Sequence, residues 1–166
     1  ARRRVCLAPY VEEVIASLRP ALKGRSIDIS VAGDRTLEAD TAAGALSQIV
    51  SNLIMNALMH AFPGDRRGQI TFTVERDGPL ARLRYRDDGV GMSADVLKRA
   101  FEPFFTTKRA QGGSGLGMSI IYNLATGTLR GAIKCQSSPG VGVQIDIEFP
   151  IDPAADLPTA DRSVAS

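Results

Sequence analysis

Apolar residues recur along the chain in two rhythms, and each rhythm predicts a different kind of element. Val11, Val14, Ile15, Leu18 and Leu22 return at helical spacing and predict a first helix from Pro9 to about Lys23, with Pro9 in the first turn and Gly24 at the end. Pro20 interrupts that run and bends or splits the helix. Leu46, Ile49, Val50, Leu53, Ile54, Ala57 and Leu58 give a second helix a broad apolar face, with Asp40 or Thr41 as its cap and Pro63-Gly64 beyond its end. A short helical stretch near Ser93 to Arg99 and a further helix from about Leu116 to Ala125 complete the set.

Alternation at every second residue predicts the strands. Ile27 to Val31 forms a short one, followed by the polar turn Gly33-Asp34-Arg35. Ile70, Phe72 and Val74, then Ala81, Leu83 and Tyr85 across the turn Gly78-Pro79, describe a hairpin with one buried face. Arg82, Arg84 and Arg86 fall on its other face, where solvation explains them better than an anion-binding patch. A strand near Ala132 to Gln136 precedes the turn Ser138-Pro139-Gly140, after which Val141, Val143, Ile145, Ile147 and Phe149 alternate with polar residues. Helices and strands intersperse along the chain, without an internal repeat or a second core. Beyond Pro150 apolar continuity ends, so residues 1–150 are expected to form the domain and residues 151–166 a tail or linker.

The length of 166 residues suits one such domain, and a larger catalytic assembly does not fit. Twenty Lys and Arg against 18 Asp and Glu leave a net charge of +2, too little for the basic face of a nucleic-acid binder. Cys6 and Cys135 form no CxxC pair and have no His cluster beside them, which disfavours thiolate-held metal and covalent thiol catalysis. No run approaches the roughly twenty apolar residues that cross a bilayer, so the chain reads as a soluble domain. It begins without Met and enters its first helix almost at once, as expected of a domain cut from a longer protein.

Three polar features remain after the core is assigned. Gln48, Asn52, Asn56 and His60 stand four residues apart on the second helix, and four residues advance about 400°, so they follow one stripe beside the apolar face. Two asparagines one turn apart can complete a Mg²⁺ shell together with phosphate oxygens, or they can simply form a solvated face. Asp87-Asp88-Gly89-Val90-Gly91 ends a strand with a buried face. Its first carboxylate can accept the amino group of an adenine, and Gly89 and Gly91 let backbone approach a flat ring, although such strings also occur as plain turns. Gly112-Gly113-Ser114-Gly115-Leu116-Gly117 opens a helix after a polar loop, so its N–H groups can wrap phosphate. It lacks the Lys and Ser/Thr pair of a P-loop and the first-strand context of a dinucleotide fold. Lys108 and Arg109 enter the same loop, where they neutralise phosphate or face solvent, and Phe101, Phe104 and Phe105 anchor it by apolar burial.

Taken in order, these strings resemble the catalytic and ATP-binding domain of bacterial sensor histidine kinases, within the superfamily shared with type II topoisomerases, Hsp90 chaperones and mismatch-repair ATPases. The resemblance runs from about Val5 to Pro150. Asn52-Leu53-Ile54-Met55-Asn56-Ala57 looks like the asparagine box, and Asp87 to Gly91 matches the first glycine box. Phe101-Glu102-Pro103-Phe104-Phe105-Thr106-Thr107-Lys108 resembles the phenylalanine box and its continuation. Gly113-Ser114-Gly115-Leu116-Gly117-Met118 resembles the second glycine box, and Ser138 to Gly142 sits at the late glycine turn.

The resemblance implies the histidine kinase-like ATPase (Bergerat) fold: a two-layer α/β sandwich with helices on one face of a mixed sheet, holding nucleotide between the asparagine helix and a mobile lid. By matching position it makes Asn56 the main Mg²⁺ ligand with Asn52 assisting, and it gives Asp87 the adenine amino group. Gly89 and Gly91 shape the base pocket, while Gly113, Ser114, Gly115, Leu116 and Gly117 fold over phosphate. His60, Lys108 and Arg109 are the candidate phosphate contacts, since Met59 stands where the family often has a basic residue, and Val143 stands where it often has Thr. Asn52, Asn56 and Lys108 then form the catalytic set.

The cofactors implied are ATP and Mg²⁺. The implied partners are a separate dimerisation and histidine phosphoacceptor domain and a downstream response regulator, with this domain cytoplasmic and its homodimeric parent either soluble or membrane-anchored. Related hydrolases carry a glutamate base on the asparagine helix. Gln48, Asn52 and Asn56 offer none, which favours phosphoryl transfer to an outside histidine over hydrolysis. The competing expectations are a nucleotide-binding regulatory module without transfer, and a serine-directed kinase of the anti-sigma type.

Overall fold

The computed structural model describes residues 1–103, 105 and 117–154. In chain order the elements are β1 (Arg3–Cys6), α1 (Leu7–Ser17), α2 (Arg19–Leu22), β2 (Ile27–Gly33), β3 (Glu38–Thr41), α3 (Ala43–Asn56), β4 (Gly68–Asp77), β5 (Leu80–Asp87), α4 (Ala94–Arg99), α5 (Gly117–Asn123), β6 (Ala132–Ser138) and β7 (Gly142–Pro150). The main sheet runs β2-β4-β5-β7-β6. Only the β2–β4 pair is parallel, so the sheet is mixed.

Strand periodicity sets the two layers. Ile70, Phe72 and Val74 of β4, Leu83 and Tyr85 of β5, and Ile145, Ile147 and Phe149 of β7 all bury on one face. The apolar stripe of α3, including Leu46, Ile49, Val50 and Ile54, packs onto that face with α1 and α5 on either side. Arg82 and Arg84 emerge on the opposite face, where they are more than solvated. Antiparallel register sets them directly across from Glu148 and Asp146 of β7, and they bond those carboxylates at 2.9 and 2.6 Å. Arg86, opposite Gln144, remains exposed.

Several expectations need correction. Pro20 does split the first helix, which begins at Leu7 and breaks after Ser17. The chain before it is not idle: β1 pairs antiparallel with β3 in a separate two-stranded sheet. Both strands have four residues, too few for alternation to declare itself. That pairing also takes Asp40 and Thr41 into β3, so neither caps α3, whose N-cap is Ala42 without a side-chain bond. Val141 is 72% exposed because Gly140 and Gly142 both take positive φ and turn the chain there, and β7 starts one residue later. Ile151 hydrogen-bonds to both neighbouring segments, donating to Pro79 O (3.0 Å) and accepting from Asp40 N–H (2.8 Å).

The long helix α3 does not stop at Asn56. It continues as a wider π turn, Ala57–Ala61, in which Phe62 N–H reaches back to Ala57 O at 3.1 Å. Terminal carbonyls of a helix need outside donors. The Arg25 guanidinium supplies them, reaching Leu58 O and Phe62 O. Among the described residues, no helix is long and apolar enough to cross a membrane.

The packing of α3 generates a paired stability prediction. Ile54 has no exposed surface and its neighbour Met55 is 45% exposed. Ile54→Ala should cost about 2–5 kcal/mol in urea unfolding, and Met55→Ala no more than about 0.5 kcal/mol. Equal losses would mean that α3 does not present this face to the sheet.

Candidate functional site

Asp87 closes β5 on its buried face, in register with Ile70 of β4 and Val143 of β7. A carboxylate only 9% exposed must be bonded to be tolerated. Oδ1 accepts the backbone N–H of Gly89 (2.9 Å) and of Val143 (3.1 Å), and Oδ2 accepts the Tyr85 hydroxyl (2.5 Å). Burial, reinforced by the Asp87 charge, holds the Tyr85 phenol well above the usual tyrosine pKa, so it stays a donor. Burial and, to a lesser extent, the same charge push the Cys135 thiol up to about 12. That thiol is no nucleophile at neutral pH. Asp88 serves a different end: its Oδ1 accepts Gln69 N–H at 2.8 Å and its own N–H bonds Gln69 O, extending the β4–β5 pairing.

Beside Asp87 opens a cavity of about 280 Å³. One wall is the end of the long helix, with Asn56, Met59, His60 and Ala61. Met92, Met118, Phe105, Val143 and Ile145 make the remainder largely apolar. Such a box, with a single acceptor carboxylate at its edge, suits a flat heterocycle bearing an amino group. Asn56 carries a buried Nδ2 without a hydrogen-bond partner among the described residues, so its amide has unused capacity at the cavity wall. A Cβ on Gly117, the first residue of α5, would come within 2.7 Å of Asn56 Oδ1, so this glycine lets the two helices close on the site.

Of the residues singled out by sequence, the structure brings Asn56, His60, Asp87, Gly91 and Gly117 to one cavity. Asn52 lies one turn earlier, half-buried and outside the lining, and Gln48 is exposed. Gly89 stands behind the pocket, bonded to Asp87. Lys108, Arg109, Gly113, Ser114, Gly115 and Leu116 lie outside the described residues, as does Phe104. Phe105 lines the cavity with the Arg99 guanidinium 4.4 Å from its ring centre, and Phe101 packs on Tyr122. Sequence reading missed Tyr85, Met92 and Met118. Tyr85 carried a signal, since it stands two residues before Asp87 on the same strand face.

The need for glycine in the DxGxG string arises within the protein's own packing. A Cβ at Gly89 would sit 2.5 Å from the Ala61 Cβ, and one at Gly91, where φ is +73°, would sit 2.1 Å from Ser138 O. Gly91→Ala should therefore lose about 1 kcal/mol or more of stability with no ligand present. A thermal scan of ligand-free protein checks this, and an unchanged melting temperature would return the requirement to a bound ring.

Comparison with known proteins agrees with this geometry. The family described as histidine kinase-, DNA gyrase B-, and HSP90-like ATPase matches residues 41–153. Sensor kinase CckA of Brucella abortus (strain 2308) is 36% identical across 89% of this chain, which spans 18% of that protein's length. The catalytic domain of histidine kinase ThkA has the same fold, with a TM-score of 0.79 at 24% identity, covering 92% of this chain and 97% of that one. Full-length ShkA in complex with AMPPNP superposes with a TM-score of 0.71 at 28% identity, covering 90% of this chain and 31% of that one. The chain thus belongs to the histidine kinase-, DNA gyrase B-, and HSP90-like ATPase family, as an ATP-binding catalytic domain homologous to those of bacterial sensor histidine kinases.

Proposed function

We propose that this chain binds ATP with Mg²⁺ and transfers the γ-phosphate to a histidine on a separate dimerisation and phosphoacceptor domain, whose phosphate then passes to a response regulator. The observation that carries the reading is the buried Asp87 carboxylate, held by three protein donors yet lining an apolar cavity whose wall also carries the Asn56 amide nitrogen, unpartnered among the described residues.

In this reading Asp87 accepts the adenine amino group while Met92, Met118 and Val143 enclose the ring. Asn56 would hold the metal through its amide oxygen, with Asn52, one turn away, assisting at the metal or phosphates. Mg²⁺, when bound, offsets charge on the phosphate oxygens. Since both amides are neutral, the ion's charge is balanced by the nucleotide. His60, Lys108 and Arg109 are assigned to the phosphates. Gly113, Ser114, Gly115, Leu116 and Gly117 are assigned to the segment that covers them. Gln48, Asn52 and Asn56 are amides without a basic group at neutral pH, which supports transfer over hydrolysis. Residues 1–150, tied down by Ile151, make the catalytic unit of a longer, dimeric parent, and residues 151–166 its tail or linker.

Met59 favours a second reading, a module that holds nucleotide without transferring phosphate. It lines the cavity at the place where the family often has a cation. Calorimetric titration with ATP and ADP, with and without Mg²⁺, tests the site. Asp87→Asn should weaken both nucleotides about tenfold or more, and Asn56→Ala should abolish the gain from Mg²⁺. Unaltered affinity in Asp87→Asn would sink the base contact. Transfer of labelled phosphate to an added acceptor domain separates kinase from module, because the module binds ATP and transfers nothing.

A further inference from the structure

Tyr85 occupies a position that every neighbouring strand fills with a hydrocarbon. It is 2% exposed, its register partners are Phe72 and Ile145, and its ring meets that of Phe72 edge-on at 5.5 Å. Phenylalanine would fill the same space. A hydroxyl in such a place costs free energy unless bonded, and its bond goes to Oδ2 of Asp87 at 2.5 Å, the short distance of a donor on an ionised carboxylate. Val143, beside them, brings a backbone donor to Oδ1 and a side chain that cannot hydrogen-bond. Both Tyr85 and Asp87 line the cavity.

An aspartate has about four acceptor positions. Gly89 and Val143 occupy those of Oδ1, and Tyr85 takes one on Oδ2. We propose that Tyr85 is the positioning and specificity residue of the base pocket, its hydroxyl locking the Asp87 carboxylate so that Oδ2 keeps a single acceptor position for the amino group of a 6-aminopurine. This rests on the adenine contact assigned to Asp87 above. The lock works in two ways. It fixes the rotation of the carboxylate, so no ordering is left for the nucleotide to induce. It also commits the only hydroxyl hydrogen to Asp87, so a purine with a 6-oxo group meets an acceptor and finds no donor from Tyr85.

The test compares wild type and Tyr85→Phe with two ligands, ATP and purine riboside triphosphate, which lacks only the 6-amino group. Calorimetry of the wild-type chain should show a clear preference for ATP. In Tyr85→Phe that preference should shrink by about three- to tenfold, ATP and ADP should weaken by the same factor, and the gain from Mg²⁺ should persist. A purely structural tyrosine would weaken ATP and the purine analogue equally, leaving the preference intact, and that result overturns the proposal. A wild-type protein that binds both ligands alike would instead overturn the Asp87 contact itself, and the lock with it. Thermal scans of both proteins accompany the titrations, so that a general loss of folding is read separately from a change in preference.

Discussion

Everything at this site hangs on one buried carboxylate and the three donors that hold it. Asp87 Oδ1 draws in the N–H of Gly89 from the loop after β5 and the N–H of Val143 from the start of β7, while Oδ2 holds the hydroxyl of Tyr85 on β5 itself. Backbone bonds extend the same knot. Val90 N–H donates to Ala61 O at the end of the long helix, and Gly140 N–H donates to Val90 O from the late turn. Helix end, strand end and turn thereby meet in one corner tied together by hydrogen bonds.

Close packing at this corner explains the glycines. At Gly89, Gly91 and Gly142 an added Cβ would press on Ala61, on Ser138 O and on Asp87 O. The loop around the carboxylate is packed backbone to backbone because its donors must come within hydrogen-bond reach of two oxygen atoms. The opposite wall is softer. It consists of methionines and a phenylalanine, side chains that can adjust to what fills the cavity. The carboxylate and its donors thus sit on the tightly packed side of the cavity, facing side chains that can adjust.

The two adjacent aspartates show how far local sequence carries. Asp87 and Asp88 are chemically identical neighbours, yet strand alternation sends one inward to the cavity and the other outward just past the end of β5, where it bonds Gln69 of β4. The sequence singled out Asp87 as the first residue of DxGxG at the end of a strand with a buried face, and strand alternation accounts for the different fate of Asp88. The same logic placed the hairpin, the apolar stripe of α3 and the break at Pro20. Alternation did not say that Arg82 and Arg84 would meet Glu148 and Asp146, since those partners lie more than sixty residues along the chain and are brought opposite only by the β5–β7 register.

By itself the sequence determined the elements with strong periodicity and the ordered motifs, whose family resemblance implied the α/β fold, because each depends on spacing within a few residues. It also named Asn56, His60, Asp87, Gly91 and Gly117, which the fold gathers around one cavity. Tertiary structure alone decided the pairing of β1 with β3, too short to have a rhythm of its own, and the loss of Asp40 and Thr41 as caps to that pairing. It decided that Asn52 lies off the cavity wall while Asn56 lies on it. It also fixed the acceptor of Tyr85, for the physical reason that the two residues share β5 but the Asp87 carboxylate is held in place only when Gly89 and Val143, the latter from β7, bond its other oxygen.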